Sequence, residues 1–109
     1  MSEPKQGLLA HQVFFKLKDN SPEAREKMLA DCEKFLKPHA GIVFFAVGTV
    51  CDELKRPVND RDWDVALHII FTDKAAHDVY QDTEAHNAFI AANKENWAGV
   101  RVFDSIVRR

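Results

Sequence analysis

The chain has 109 residues, 46% of them hydrophobic and 29% charged, with a formal net charge of −2. That mixture excludes intrinsic disorder, and the length allows one domain with a small core that a second subunit would help to complete. Without an excess of basic charge or an apolar run of about twenty residues, neither nucleic acid nor a membrane is an expected partner.

Residues 1–7 read as an N-terminal tail lacking the apolar core of a signal peptide, and residues 8–109 as a single domain. Cys32 and Cys51 are then reduced thiols and a cytoplasmic location is expected. A first strand is expected over Leu8–Lys18, centred on Val13-Phe14-Phe15. Asp19-Asn20-Ser21-Pro22 turns the chain into a helix, because Ser21 can cap it and Pro22 suits its first position. The helix reaches about Lys37, with Ala24, Met28, Cys32, Phe35 and Leu36 on one stripe, and Pro38 and Gly41 end it.

A second strand follows at Ile42–Val50, then a charged connection from Cys51 to Arg61 and a third strand at Trp63–Phe71. Thr72-Asp73 opens a short helix to about Tyr80. A break at Gln81-Asp82-Thr83 separates it from another helix, Glu84 to Asn96, and Gly99 leads into a last strand at Val100–Val107. The order β-α-β-β-α-β, with its second helix broken, predicts an α+β ferredoxin-like fold: a four-stranded antiparallel sheet with helices on one side. In the second strand Ile42, Phe44 and Ala46 would face one way and Val43, Phe45 and Val47 the other, so both faces are apolar. Helices bury one face only, and a second copy forming a two-fold homodimer is the simplest cover for the other.

Among polar residues, Tyr80 and His86 stand out. A neutral imidazole is a suitable general base near neutral pH, and a phenol can donate a hydrogen bond to an enolate or carbonyl oxygen. The spacing also admits a bland arrangement, with Tyr80 packed at a helix end and His86 bonded to the backbone. His11 reads as a hydrogen-bonded wall residue or a third polar site residue, His68 as facing a partner subunit, His39 as a helix C-terminal residue and His77 as exposed. His77, Asp78, Asp82, Glu84 and His86 lie close in sequence, but the helix break would scatter them and no metal site is expected. Cys32 should be buried and inert, and no phosphate-cradling glycine loop is present.

The ordered set His11-x-Val13-Phe14-Phe15-Lys16-Leu17-Lys18-Asp19, Trp63-Asp64-Val65-Ala66-Leu67 through Phe71, Tyr80 with His86 and Phe89, and Trp97 with Val102-Phe103-Asp104 resembles the stress-responsive dimeric α/β-barrel (Dabb) family. The resemblance spans almost the whole chain and implies a homodimer in which two sheets form a barrel. The family includes plant stress-associated proteins, bacterial members and polyketide cyclases such as olivetolic acid cyclase. The cyclases use a Tyr and a His six residues later, matched by Tyr80 and His86, and a first-strand His matched by His11. Departures are visible: the cyclase His-Pro-x-His segment reads Thr83-Glu84-Ala85-His86 here, and the cyclase's third-strand His falls at Val65.

Two expectations follow. The first is a small apolar ligand, bound without any cofactor between helices and sheet by Val13, Phe15, Leu67, Phe89 and Trp97. A cyclase-like enzyme would add His86 as base, Tyr80 as donor and His11 as a third polar group. The second is a non-enzymatic dimer with a closed core. Cofactor-independent oxygenation remains a third chemistry that this fold class hosts.

Overall fold

A computed structural model describes residues 7–108, so residues 1–6 of the expected tail lie outside the described residues. The first strand, β1 (Leu8–Leu17), buries Leu9, His11, Val13, Phe15 and Leu17 and leaves the intervening side chains more open. The helix α1 (Pro22–Phe35) starts where Ser21, in extended conformation, accepts a hydrogen bond on Oγ from the Ala24 amide at 3.2 Å. It ends two residues before Lys37, because the following Pro38 disfavours helical backbone in the residue it follows. Met28, Cys32 and Leu36 form the buried centre of its stripe, with Ala24 and Phe35 half-buried at the flanks.

Gly41 connects α1 to β2 (Ile42–Thr49) with φ +89, and a Cβ there would stand 2.6 Å from the Ala76 Cβ, so the position demands glycine. The pairing of β2 with β3 (Val65–Phe71) corrects the simple alternation expected for the second strand. Ile42 pairs with Phe71 but Phe44 with Ile70, leaving Val43 as an extra residue in a bulge. Ile42 therefore shares the helix-covered face with Phe45 and Val47, while Phe44 and Ala46 lie on the other face.

The third strand begins at Val65 rather than Trp63, because Asp64 is used as an anchor. Its buried carboxylate accepts hydrogen bonds from the Leu17 amide at 2.8 Å, Arg25 Nη2 at 3.0 Å and Asn20 Nδ2 at 3.3 Å. One side chain thus ties β1, the turn before α1 and α1 itself to the start of β3. Beyond β3, Asp73 caps α2 (Lys74–Gln81) through the Ala76 amide at 2.8 Å, and Thr83 caps α3 (Glu84–Asn93) through the His86 amide at 3.1 Å. The expected helix to Asn96 resolves into α3 and a 3-10 turn over Lys94–Asn96. The last strand, β4 (Trp97–Val107), starts three residues before Val100. Gly99 lies inside it opposite Lys16, next to an irregularity that pairs Leu17 with Trp97.

All neighbouring strands are antiparallel, in the order β2-β3-β1-β4. The helices cover one face: α1 packs on β2 and β3, α2 on β1 and β3, and α3 beside both helices. They stop short of β4, whose residues Ala98 to Ile106 are exposed. Cys32 is buried and Cys51 exposed, both as free thiols. Among the described residues no helix is long and apolar enough to cross a membrane.

Removing the Asp64 carboxylate strands the Arg25 guanidinium and the Leu17 amide in a largely buried place. We expect Asp64→Ala to lower the unfolding free energy by about 2–4 kcal/mol, read from the urea midpoint at unchanged slope.

Candidate functional site

A cavity of about 200 Å³ lies between the helices and the β1–β4 side of the sheet. Its floor is Val13, Phe15 and Leu67, which belong to the buried row of β1 and β3 because strand side chains alternate. Phe89 of α3 and Trp97 at the start of β4 close one end, their rings 5.8 Å apart, Phe89 edge-on to Phe15 and Trp97 tilted against it. Tyr80 of α2 and His86 of α3 occupy the other end with His11 of β1, so all eight residues singled out in the sequence line one space. Val100 and Val102 of β4 form the remaining wall and are 42% and 49% exposed, so the cavity opens over the uncovered strand.

The break between α2 and α3 brings Tyr80 and His86 together. Thr83 ends one helix and caps the next, and the two rings meet edge to face with centroids 4.9 Å apart. Two polar atoms of residues lining the cavity, His86 Nδ1 and Trp97 Nε1, are buried without a hydrogen-bond partner. A buried polar atom left unpaired costs roughly 1–3 kcal/mol, so such atoms call for an explanation. Burial lowers the His86 pKa below its ordinary 6.5, helped by the neighbouring His11, His39 and His77 and opposed by Asp82. The ring is therefore neutral at neutral pH and has a lone pair to offer. Burial pushes the Tyr80 phenol well above its ordinary range, with Cys32 adding to the effect, so this hydroxyl keeps its proton.

His11 sits opposite Asp104 in the β1–β4 register, and its Nδ1 lies 2.6 Å from Asp104 Oδ1. Burial lowers its pKa below 6.5, and the bond to Asp104 offsets part of that shift. The Asp104 carboxylate orients the ring as the acidic member of a dyad orients its histidine. Sequence reasoning named neither Asp104 nor Gln81 as site residues. The Val100, Val102, Asp104 alternation in β4 was visible, but only strand pairing shows that Asp104 faces His11.

His77 is half-buried rather than exposed. Its ring meets His11 at 4.9 Å in a tilted contact and Phe71 at 5.6 Å edge to face, because α2 carries His77 and Tyr80 three residues apart on one face. His39 reaches further than the end of α1. Its Nδ1 lies 2.8 Å from the Leu36 carbonyl and its Nε2 2.9 Å from Thr83 Oγ1, which bridges the end of α1 to the cap of α3. His68 lies on the helix-free face, 3.2 Å from Gln12. Asp78, Asp82, Glu84 and His86 do not converge. Among the described residues, the one group with metal-ligand spacing is His11, His77 and Asp104, whose ligand atoms lie within 4.8 Å of one another.

Antiparallel strands in the order β2-β3-β1-β4 under helices on one face define a ferredoxin-like α+β protein, with its apolar cavity between the layers. The chain belongs to the stress responsive A/B barrel domain family, whose profile matches residues 9–107. Among solved structures it is similar to a Dabb family protein with a ferredoxin-like fold from Mesorhizobium loti, at 24% identity and TM-score 0.76, covering 95% of this chain and 100% of that one. It is similar to a dimeric ferredoxin-like protein from Thermobifida fusca, at 16% identity and TM-score 0.76 over 96% and 95% of the two chains. A hydroxynitrile lyase from Passiflora edulis shares the fold at 18% identity and TM-score 0.75, over 95% and 96%. No curated protein matches the sequence.

The two depressed histidines make stability depend on pH with a definite sign. Their stabilising effect is present above the unfolded pKa of 6.5 and is lost as pH falls through the lower folded values, because the unfolded chain then binds more protons. Urea unfolding should show stability falling between about pH 7 and pH 5, with a shallower slope in His86→Gln.

Proposed function

We propose that this protein binds a small apolar carbonyl compound in the cavity and moves a proton on it, with His86 as general base and Tyr80 as hydrogen-bond donor. The observation that carries this reading is the convergence of a neutral His86 and a protonated Tyr80, their ring centroids 4.9 Å apart, on the wall of one apolar cavity. Had the side chain been tied to the backbone, the bland arrangement would be favoured. Only the His86 backbone amide is bonded there, to Thr83, and a neutral imidazole on the cavity wall can accept a proton from a carbon next to a carbonyl. Tyr80 can then donate to the oxygen on which the negative charge collects, the site's low polarity strengthening that bond. His11, held by Asp104, adds a second polar contact beside Tyr80, the two ring centroids 5.9 Å apart.

The volume of about 200 Å³ lies below the roughly 300–1,000 Å³ of sites for drug-sized molecules, which selects a small ligand. Phe15, Phe89 and Trp97 favour an aromatic or alkyl body. The site needs no cofactor in this scheme, and cyclase-type ring closure is one reaction that such proton transfer can start. The hydroxynitrile lyase of the same fold supports carbonyl chemistry in this architecture by analogy of fold alone.

The test is exchange of α-hydrogen for deuterium in small aryl ketones, followed by proton NMR in heavy water. We expect the protein to catalyse exchange with saturation, and His86→Gln to lose about 10²–10⁴-fold in rate. Tyr80→Phe should lose about 10²-fold with binding retained, read from quenching of Trp97 fluorescence in a Trp63→Phe background. Exchange that proceeds equally well in His86→Gln would overturn the assignment.

The same proposal includes a homodimer of one domain from residue 8 onward. Its helix-free face carries Phe14, Phe44, Ile70 and Phe103, with Phe44 and Phe103 51% and 53% exposed, and an apolar patch of this kind marks an interface. The structures from Thermobifida fusca and Bacteroides fragilis described as dimeric support the reading. Light scattering should give twice the chain mass for the wild type and a monomer for Phe103→Glu, since a charge at the centre of an apolar interface lacks a partner. A wild-type monomer at micromolar concentration would refute the dimer.

A further inference from the structure

We propose that His11, His77 and Asp104 form a binding site for one divalent transition-metal ion of the zinc class, at the edge of the cavity, sharing His11 with the proposed proton-transfer site but using neither His86 nor Tyr80 as a ligand. The three side chains come from β1, α2 and β4, and their ligand atoms already lie within 4.8 Å of one another. Nitrogen and oxygen ligands around a tetrahedral ion stand about 3.3 Å apart when the bonds are about 2.0–2.1 Å. His11 and Asp104 meet closer than that, at 2.6 Å, so an ion must part them by a fraction of an ångström while His77 swings inward. Two imidazoles and a carboxylate favour zinc, nickel or cobalt over magnesium or calcium, which prefer oxygen alone.

The surroundings suit a ligand histidine. Asp78 Oδ1 lies 3.1 Å from His77 Nδ1 and can hold the proton there, which leaves the Nε2 lone pair available. Gln81 Nε2, 3.3 Å from that Nε2, fills the place until an ion takes it. His11 is buried, so an ion entering at Nδ1 meets a preformed wall and shifts the ring proton to Nε2. Asp104, with its side chain 42% exposed, leaves a route from solvent and room for a water molecule on the ion. The ion would exchange the His11–Asp104 hydrogen bond for two coordinate bonds.

The site is tested by isothermal titration of the tag-free full chain with zinc chloride and, separately, magnesium chloride. A Cys51→Ser background removes the exposed thiol as a competing ligand. We expect one zinc per chain with a dissociation constant below about 100 µM, and no saturable magnesium binding. His77→Ala and Asp104→Asn should each weaken zinc by at least about tenfold. His68→Ala, on the opposite face, should not. Circular dichroism checks that His77→Ala folds, and if it does not, the exposed Asp104→Asn decides. Cobalt added in place of zinc should show the intense visible absorption of a four-coordinate ion, lost in the same variants. Zinc that fails to saturate, or that binds both variants as tightly as the parent, overturns the proposal. His86→Gln keeps full zinc affinity if the proposal holds, so the metal site and the proton-transfer reading can fail separately.

Discussion

Every second side chain of β1 enters the core, and β1, like β3, is paired on both sides, here to β3 and to β4. Because strand side chains alternate with a period of two, the position of Val13 opposite Leu67 fixes Phe15 below Trp97 and places His11 at the mouth of the cavity. A slip of one residue would send this entire row to the helix-free face. Asp64 guards the register where β3 begins, by holding the Leu17 amide, the turn at Asn20 and Arg25 of α1 together.

The helices cover only part of what that sheet presents. With α1, α2 and α3 above β2, β3 and β1, the β4 strand is left without a roof, and the gap between α3 and β4 becomes the cavity. The same shortfall explains why Trp97 and Val100 are only partly sheltered and why an acidic residue, Asp104, can sit on the inner row of β4. An incomplete layer gives the molecule both its apolar chamber and the polar cluster at the edge of that chamber. The opposite face carries an apolar patch of Phe14, Phe44, Ile70 and Phe103, with the charged Lys16 and Arg101 on the same rows.

At the chamber, burial and chemistry act together. Desolvation keeps His86 neutral and Tyr80 protonated, the states that the proposed proton transfer requires. The unpaired His86 Nδ1 and Trp97 Nε1 are costs that the fold carries rather than contacts that stabilise it, and such costs concentrate where function is exercised.

Much of this was legible in the chain itself. The helix cap at Ser21, the helix opening at Thr72-Asp73, the break at Gln81-Asp82-Thr83, the buried stripe of α1 and the apolar rows of β1 and β3 are local chemistry, so the order of elements and the ferredoxin-like class followed from spacing. The cavity residues were legible because apolar periodicity marks inward positions, and the helix break marked where Tyr80 and His86 could meet. Pairing was not legible. The bulge at Val43, the early start of β4 at Trp97 and the placing of Asp104 opposite His11 depend on register between segments far apart in sequence. His77 was misplaced because a helix surface position reads as solvent until a neighbouring strand is set against it. The sequence by itself determined which residues turn inward, since that depends on local periodicity; tertiary structure alone decided which of them meet, since strand register is set by packing across the whole sheet.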